Sequence, residues 1–361
     1  MEQALFFAFL TITIICNIIA SFSTKNHIVK VFFTMMTIAM IILASSQSWN
    51  YDYEAYRYYY ELAGRNNISG VELGFIAIAV FSKKVLLLDY VGFRALFFLI
   101  MFGVVAAYIW KLSERPCLVQ LLYFFLFFAV NITQIRSGMS EAFVIASVYY
   151  LNNNNKIKYC ISMALAIMFH YSAFFFLLFM LLDISKTEKW IRNNTKTIAI
   201  VSVIMLIAFR AVSAVIPLVV RYLNAFLGND YRAAANFADY AGNHYLKYLP
   251  VPIITIFLFY LLRDFIRIDY DSKRYELMAY ISLVIYPLFT INRQLSRISR
   301  TVVILSLIPF TKYALRSFNK NRASFILCFI VFIGYVYYCL SAYTSCLDAL
   351  LHYSNLAYIF D

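Results

Sequence analysis

A-L-F-F-A-F-L-T-I-T-I-I-C-N-I-I-A-S-F, residues 4–22, runs on without a single charged side chain. About 20 apolar residues are needed for a helix to cross a bilayer, and this stretch is long enough. Its apolar residues are continuous rather than alternating, which argues for a helix and against a transmembrane β-strand. Glu2 precedes it and no basic segment does, so it reads as a retained span rather than a cleaved signal. The same kind of run recurs near 29–46, 90–110, 117–130, 134–151, 197–220, 249–263, 275–291, 301–316 and 323–343. Hydrophobic residues make up 63% of the 361-residue chain and charged residues 14%, far from the soluble balance of about half and a quarter. The expected fold is all-α: one polytopic membrane domain over 1–361, with about 10–12 transmembrane or re-entrant helices. A soluble enzyme, a disordered chain and a disulfide-rich module are excluded.

The net charge of +13 would suggest nucleic-acid binding in a soluble protein. In a chain of spans, basic residues instead hold loops in the cytoplasm. Lys25 and Lys30, Lys111 and Arg115, Lys156 and Lys158, Lys186 to Lys196, Arg263 to Arg274 and Lys312 to Arg322 mark cytoplasmic loops. The segments near 47–71 and 221–248 are then outer loops. These assignments agree only if 71–88 and 159–182 each enter and leave on one side. Both are therefore expected to be re-entrant or broken at depth, where protein or a wet cavity must shelter the backbone. Six scattered cysteines without a C-x-x-C pair indicate neither a disulfide framework nor a metal site, and no Gly-rich nucleotide loop is present.

This topology sorts the polar residues. N-R-Q-L-S-R-I-S-R, 292–300, falls on the outer side yet carries Arg293, Arg297 and Arg300. Spacings of three and four place them on one helical stripe. Guanidinium is always charged and can bond two oxygens at once, which suits phosphate; pairing with headgroups or an acidic loop is the simpler reading. Arg136 opens the apolar run from 134, either as an anion ligand or snorkelling to the interface. His170 sits in the middle of an apolar run, as a reactive group or as a hydrogen-bonding partner between helices. The Tyr-rich outer loop W-N-Y-D-Y-E-A-Y-R-Y-Y-Y-E, 49–61, sets Tyr53, Tyr56 and Arg57 beside Asp52. Its rings could stack on sugars or form an interfacial belt. Arg232 repeats the theme in the later loop. Together these groups suit an anionic lipid that carries sugars.

The chain resembles the EpsG-like family of bacterial polysaccharide polymerases, the Wzy type. The resemblance rests on Y-D-Y-E-A-Y and E-L-G-F (Glu72 to Phe75), then Q-I-R-S-G-M-S (Gln134 to Ser140). F-H-Y-S-A (Phe169 to Ala173) and N-R-Q-L-S-R (Asn292 to Arg297) follow in order. Ser137 departs from the polar amide expected after the arginine. The resemblance implies a GT-C-like glycosyltransferase in the bacterial inner membrane, with its site facing the periplasm. It would polymerise undecaprenyl-diphosphate-linked repeat units of O-antigen or a related surface glycan. That lipid-linked glycan serves as both donor and acceptor, the bilayer is the medium, and a chain-length regulator and a flippase are implied partners. No cofactor and no nucleic acid are called for. Arg136, Arg293, Arg297 and Arg300 would clamp the diphosphate; His170, Asp52 or Glu72 would take the acceptor proton; Tyr53, Tyr56, Arg57 and Arg232 would hold sugar. A flippase or transporter of the same lipid, a membrane acyltransferase and an O-antigen ligase are the competing classes. A transporter should show two repeated halves, which are not evident.

Overall fold

A computed structural model of the chain describes residues 2–23, 26–47, 50, 52–64, 71–178 and 296–320, with isolated helical positions between 193 and 334. Contacts divide the chain into two compact units, Met1–Met180 with Val336–Asp361, and Leu181–Tyr335. Every regular element among the described residues is helical. In the first unit these are α1 (Glu2–Ser21), α2 (His27–Ser46), α3 (Tyr53–Leu62), α4 (Leu73–Lys84) and α5 (Tyr90–Leu112). They continue with α6 (Pro116–Tyr123), α7 (Ala129–Thr133), α8 (Ile135–Asn152) and α9 (Lys156–Phe169). The second unit contributes α10 (Ser296–Lys320).

Among the described residues, three stretches are long and apolar enough to cross a membrane: His27–Ser46, Tyr90–Leu112 and Pro116–Thr133. Local sequence sets where they begin. Asn26 caps α2 by accepting the Val29 N–H at 2.8 Å, and Asp89 caps α5 by accepting the Gly92 N–H at 2.7 Å. Val29, Phe33, Met36, Met40 and Leu43 form the buried stripe of α2; Phe93, Phe97, Met101, Val105 and Ile109 form that of α5. These three- and four-residue steps are the period of one helix face. Pro116 opens α6 where its missing N–H costs nothing. The third span is not uniform: Phe124–Phe128 winds as a π-helix between α6 and α7. Such wide turns occur often at functional sites.

Polar side chains join the helices where lipid offers no hydrogen bonds. Asn17 of α1 donates to the Phe32 carbonyl of α2 at 3.0 Å, and Gln120 of α6 donates to the Thr37 hydroxyl at 2.7 Å. Two glycines allow close approach. A Cβ on Gly138 of α8 would lie 2.7 Å from the Met101 sulfur and 3.1 Å from Asn131 Cβ. A Cβ on Gly74 of α4 would lie 3.0 Å from the Met168 carbonyl and from the Phe169 ring. Met101 is the midpoint of α5, so the first turn of α8 packs against the middle of that helix.

The two doubtful stretches form short helical pieces. α4 has 12 residues, about 18 Å, roughly half a bilayer core. It runs back along the first half of α5, with Phe75 against Phe93 and Phe97. α9 stops at Phe169, His170 is extended, and Tyr171–Leu177 continues as a 3-10 helix. One expectation is corrected. The Tyr-rich loop is largely helix α3, because Tyr56 and Tyr60, four residues apart, make one buried stripe. In the second unit, residues 301–311 of α10 are buried on every side, Pro309 included. The outer loop at 221–248 and the spans expected at 197–220, 249–263, 275–291 and 323–343 lie largely or wholly outside the described residues.

Gly138→Val should overpack the α5–α8 contact and cost about 1–3 kcal/mol. Thermal unfolding in detergent should show a clearly lowered midpoint; an unchanged midpoint would mean that the two helices do not meet there.

Candidate functional site

Gln134 breaks the helix between α7 and α8, with φ −97 and ψ 61. Its N–H still bonds the Val130 carbonyl at 2.8 Å, and its own carbonyl receives the Gly138 N–H at 3.0 Å. The break sets Arg136 in the first turn of α8. Glu72 stands at the N-cap of α4 with its backbone extended, so its side chain is not used to cap the helix. The two side chains meet as an ion pair between Arg136 Nη1 and Glu72 Oε2. The Tyr56 ring of α3 lies 5.6 Å from the guanidinium carbon. Tyr56 itself is buried, packed on Phe75 with ring centroids 5.6 Å apart. The pair therefore ties α8, α4 and α3 together across 64 residues of sequence.

The ion pair does not exhaust Arg136. Its side chain keeps 21% exposure against 8% for Glu72, and its Nε is buried with no hydrogen-bond partner. A guanidinium has five N–H groups, so donors remain for another anion. The contact of Gly74 with Met168 and Phe169 brings the end of α9, and with it His170, to the first turn of α4 just after Glu72. His170 is buried at 5% exposure, and the 3-10 helix after it presents Tyr171 and Phe174 outward.

Arg94 went unnoticed in the sequence, lying inside the apolar run of α5. It is 2% exposed. It donates to the carbonyls of Gln47 and, at 3.0 Å, of Ala44, satisfying the otherwise unpaired end of α2. Its guanidinium also lies 4.8 Å from the Tyr53 ring and 5.4 Å from that of Phe98. The available signal was a cation one turn into a span, where charge is costly and seldom idle. Tyr60 of α3 donates to the Leu88 carbonyl at 2.5 Å and stacks on Phe93. Burial, and then the Asp89 carboxylate, push its phenol above the ordinary range, so it stays a donor. Lys83 of α4 donates to the Glu61 carbonyl at 2.6 Å, closing the C-terminal end of α3. Arg94, Tyr60 and Lys83 thus fix α3 over the site.

The remaining nominated residues are dispersed. Asp52 begins α3 at intermediate exposure, and Tyr53 next to it has its ring against Tyr90 and Arg94. Arg57 is exposed and pairs with Glu61 at 3.2 Å, a surface contact of little energetic weight. The buried face of Tyr56 is taken by Phe75 and Arg136, leaving Tyr58, 59% exposed, as the open ring of α3. In the second unit Arg297 is partly exposed and Arg300 is buried, both in the first turns of α10. Arg232 and Arg293 lie outside the described residues.

Removing one partner of a buried ion pair strands the other. Arg136→Ala and Glu72→Ala should each cost about 3 kcal/mol of stability, and the double variant less than their sum. Strict additivity in a double-mutant cycle would show that the pair does not form.

No curated protein and no solved structure matches the chain. The EpsG family model matches residues 30–355, covering both units and every described nominated residue. That match points to polysaccharide polymerisation in general terms, on a helical membrane scaffold. The chain belongs to the EpsG family.

Proposed function

We propose that the protein is a membrane glycosyltransferase that polymerises oligosaccharide repeat units carried on undecaprenyl diphosphate. The reaction takes place at the periplasmic face of the inner membrane. The observation that carries this reading is Arg136: a half-buried cation in the first turn of α8, held by Glu72 and Tyr56, with a buried N–H still unspent. Cations set among membrane helices are expensive and usually serve a function. A diphosphate leaving group gathers negative charge as its bond to sugar breaks, and a preorganised guanidinium stabilises that charge most in the transition state. Glu72 keeps Arg136 oriented and partly neutralised while the site is empty, which lowers the cost of holding it in lipid.

The roles divide accordingly. Glu72, engaged by Arg136, serves as the partner of the clamp rather than as a base. Asp52, at the rim of α3, is the carboxylate proposed to take the acceptor proton. Tyr58 and Tyr53 supply faces for sugar, with Arg94 holding Tyr53 in place. Arg293, Arg297 and Arg300 are proposed as further phosphate ligands on the chemistry of their side chains, and Arg232 as a sugar ligand. No nucleotide or metal is assigned a step. The chain-length regulator and the flippase remain proposed partners.

A strain lacking the gene should accumulate surface glycan as one repeat unit on its lipid core. Gel analysis of extracted glycan reads the outcome directly. A long ladder persisting in the deletion strain would refute the polymerase reading, and loss of all repeat units would favour a flippase.

A further inference from the structure

Tyr150 stands near the end of α8, about 20 Å along the helix from Arg136 at 1.5 Å per residue. There Tyr149 and Tyr150 meet Tyr108, near the end of α5. The three rings pack on one another, tilted or edge-on, with centroids 5.5, 5.6 and 5.5 Å apart. The Tyr108 and Tyr150 hydroxyls lie 2.5 Å apart. One phenol donates to the other, so the accepting phenol keeps its own O–H for a further acceptor.

Two lysines rest on these rings. Lys111 Nζ is 4.7 Å from the Tyr108 centroid and 5.1 Å from that of Tyr149, and Lys158 Nζ is 5.6 Å from that of Tyr150. The turn between α8 and α9 sets the second lysine. Asn154 takes a left-handed φ of 56, the Asn155 N–H donates to the Tyr150 carbonyl at 2.8 Å, and the Asn155 side chain accepts the Lys158 N–H at 3.1 Å. A ring face attracts an ammonium but does not neutralise it. The ion pairs among the described residues involve neither lysine. Two cations held in this way, with a phenol O–H beside them, suit one oxyanion.

The place of the cluster selects the oxyanion. Tyr108 and Lys111 end the span Tyr90–Leu112, where a bilayer presents its headgroups. Next to Lys158, α9 exposes Ile157 by 75%, Ile161 by 56% and Met168 by 40%. Steps of about one and three turns put these three on one helical face. They form an apolar strip that leads away from the lysines, as an acyl chain would lie. A soluble phosphate has no use for such a strip.

We propose that Lys111, Lys158 and the tyrosine hydroxyls bind the phosphate of an anionic phospholipid, whose acyl chain lies along α9. This site is separate from Arg136 and does not depend on the polymerase reading. Its occupant joins the end of α5 to the turn between α8 and α9.

Full-length protein in neutral detergent, titrated with phosphatidylglycerol, phosphatidylcholine or soluble glycerol phosphate, tests the proposal, with bound lipid counted by native mass spectrometry. Phosphatidylglycerol should be held about tenfold more tightly than phosphatidylcholine, and Lys111→Gln with Lys158→Gln should abolish the preference. Lys30→Gln with Lys84→Gln removes the same charge from two other exposed lysines and should leave the preference within about twofold. Phosphatidylglycerol should also raise the thermal midpoint of the wild type and leave that of the Lys111 and Lys158 double variant unmoved. Equal loss in the two double variants would overturn the proposal, reducing the effect to net charge. Phosphatidylcholine held as tightly as phosphatidylglycerol would overturn it as well. Glycerol phosphate held as tightly as the lipid would overturn the assignment to a phospholipid.

Discussion

The ion pair between Arg136 and Glu72 is the constraint on which the first unit depends. A charge half buried among packed helices needs something to compensate it, and here the compensation comes from another helix. Meeting that need fixes three things at once. α8 must begin where the chain breaks at Gln134, α4 must begin next to Glu72 at its N-cap, and α3 must lie across the pair with Tyr56 facing the guanidinium. Gly74 and Gly138 then become necessary, because the helices that bring the pair together leave no room for a β-carbon.

Around this pair the fold separates rigid support from open chemistry. Arg94 joins the end of α2 to α5 and to Tyr53, and Lys83 and Tyr60 pin the other end of α3. These groups are spent on packing and capping. Arg136, with its unspent Nε, is not. The proposed polymerase needs this division. A lipid diphosphate must be gripped at its charged end while its tail stays in the bilayer and its sugars reach outward toward α3.

Much of the scaffold is legible in the sequence because lipid imposes a simple rule: long uncharged runs become helices. α2, α5 and the α6–α7 span follow from it directly. That the stretches at α4 and α9 are short or broken is legible in loop charge: 71–88 follows an outer loop and precedes a span that ends at Lys111 and Arg115, and 159–182 has basic loops on both flanks. α3 is misread as a loop because tyrosine is both apolar and polar, and a ten-residue helix interrupted by Glu54, Arg57 and Glu61 gives no long apolar run. Its four-residue step from Tyr56 to Tyr60 is the signal that was there. Glu72 and Arg136 are each nominated by the sequence, but their pairing across 64 residues is a product of the fold. Arg94 is missed because a single cation near the start of a span looks like one that snorkels. The cap that His170 gives to the Ser172 N–H is a local product of the helix break and has no sequence signature.

The central claim is that Arg136 receives a lipid diphosphate, and equilibrium binding of undecaprenyl diphosphate to the protein in nanodiscs tests it most directly. Arg136→Lys keeps a charge to balance Glu72 but loses the planar fork of donors. The account predicts binding weakened by about 10–100-fold in this variant, the effect of losing charged hydrogen bonds. Binding as tight as that of the wild type, in a protein that elutes and unfolds like the wild type, would contradict it.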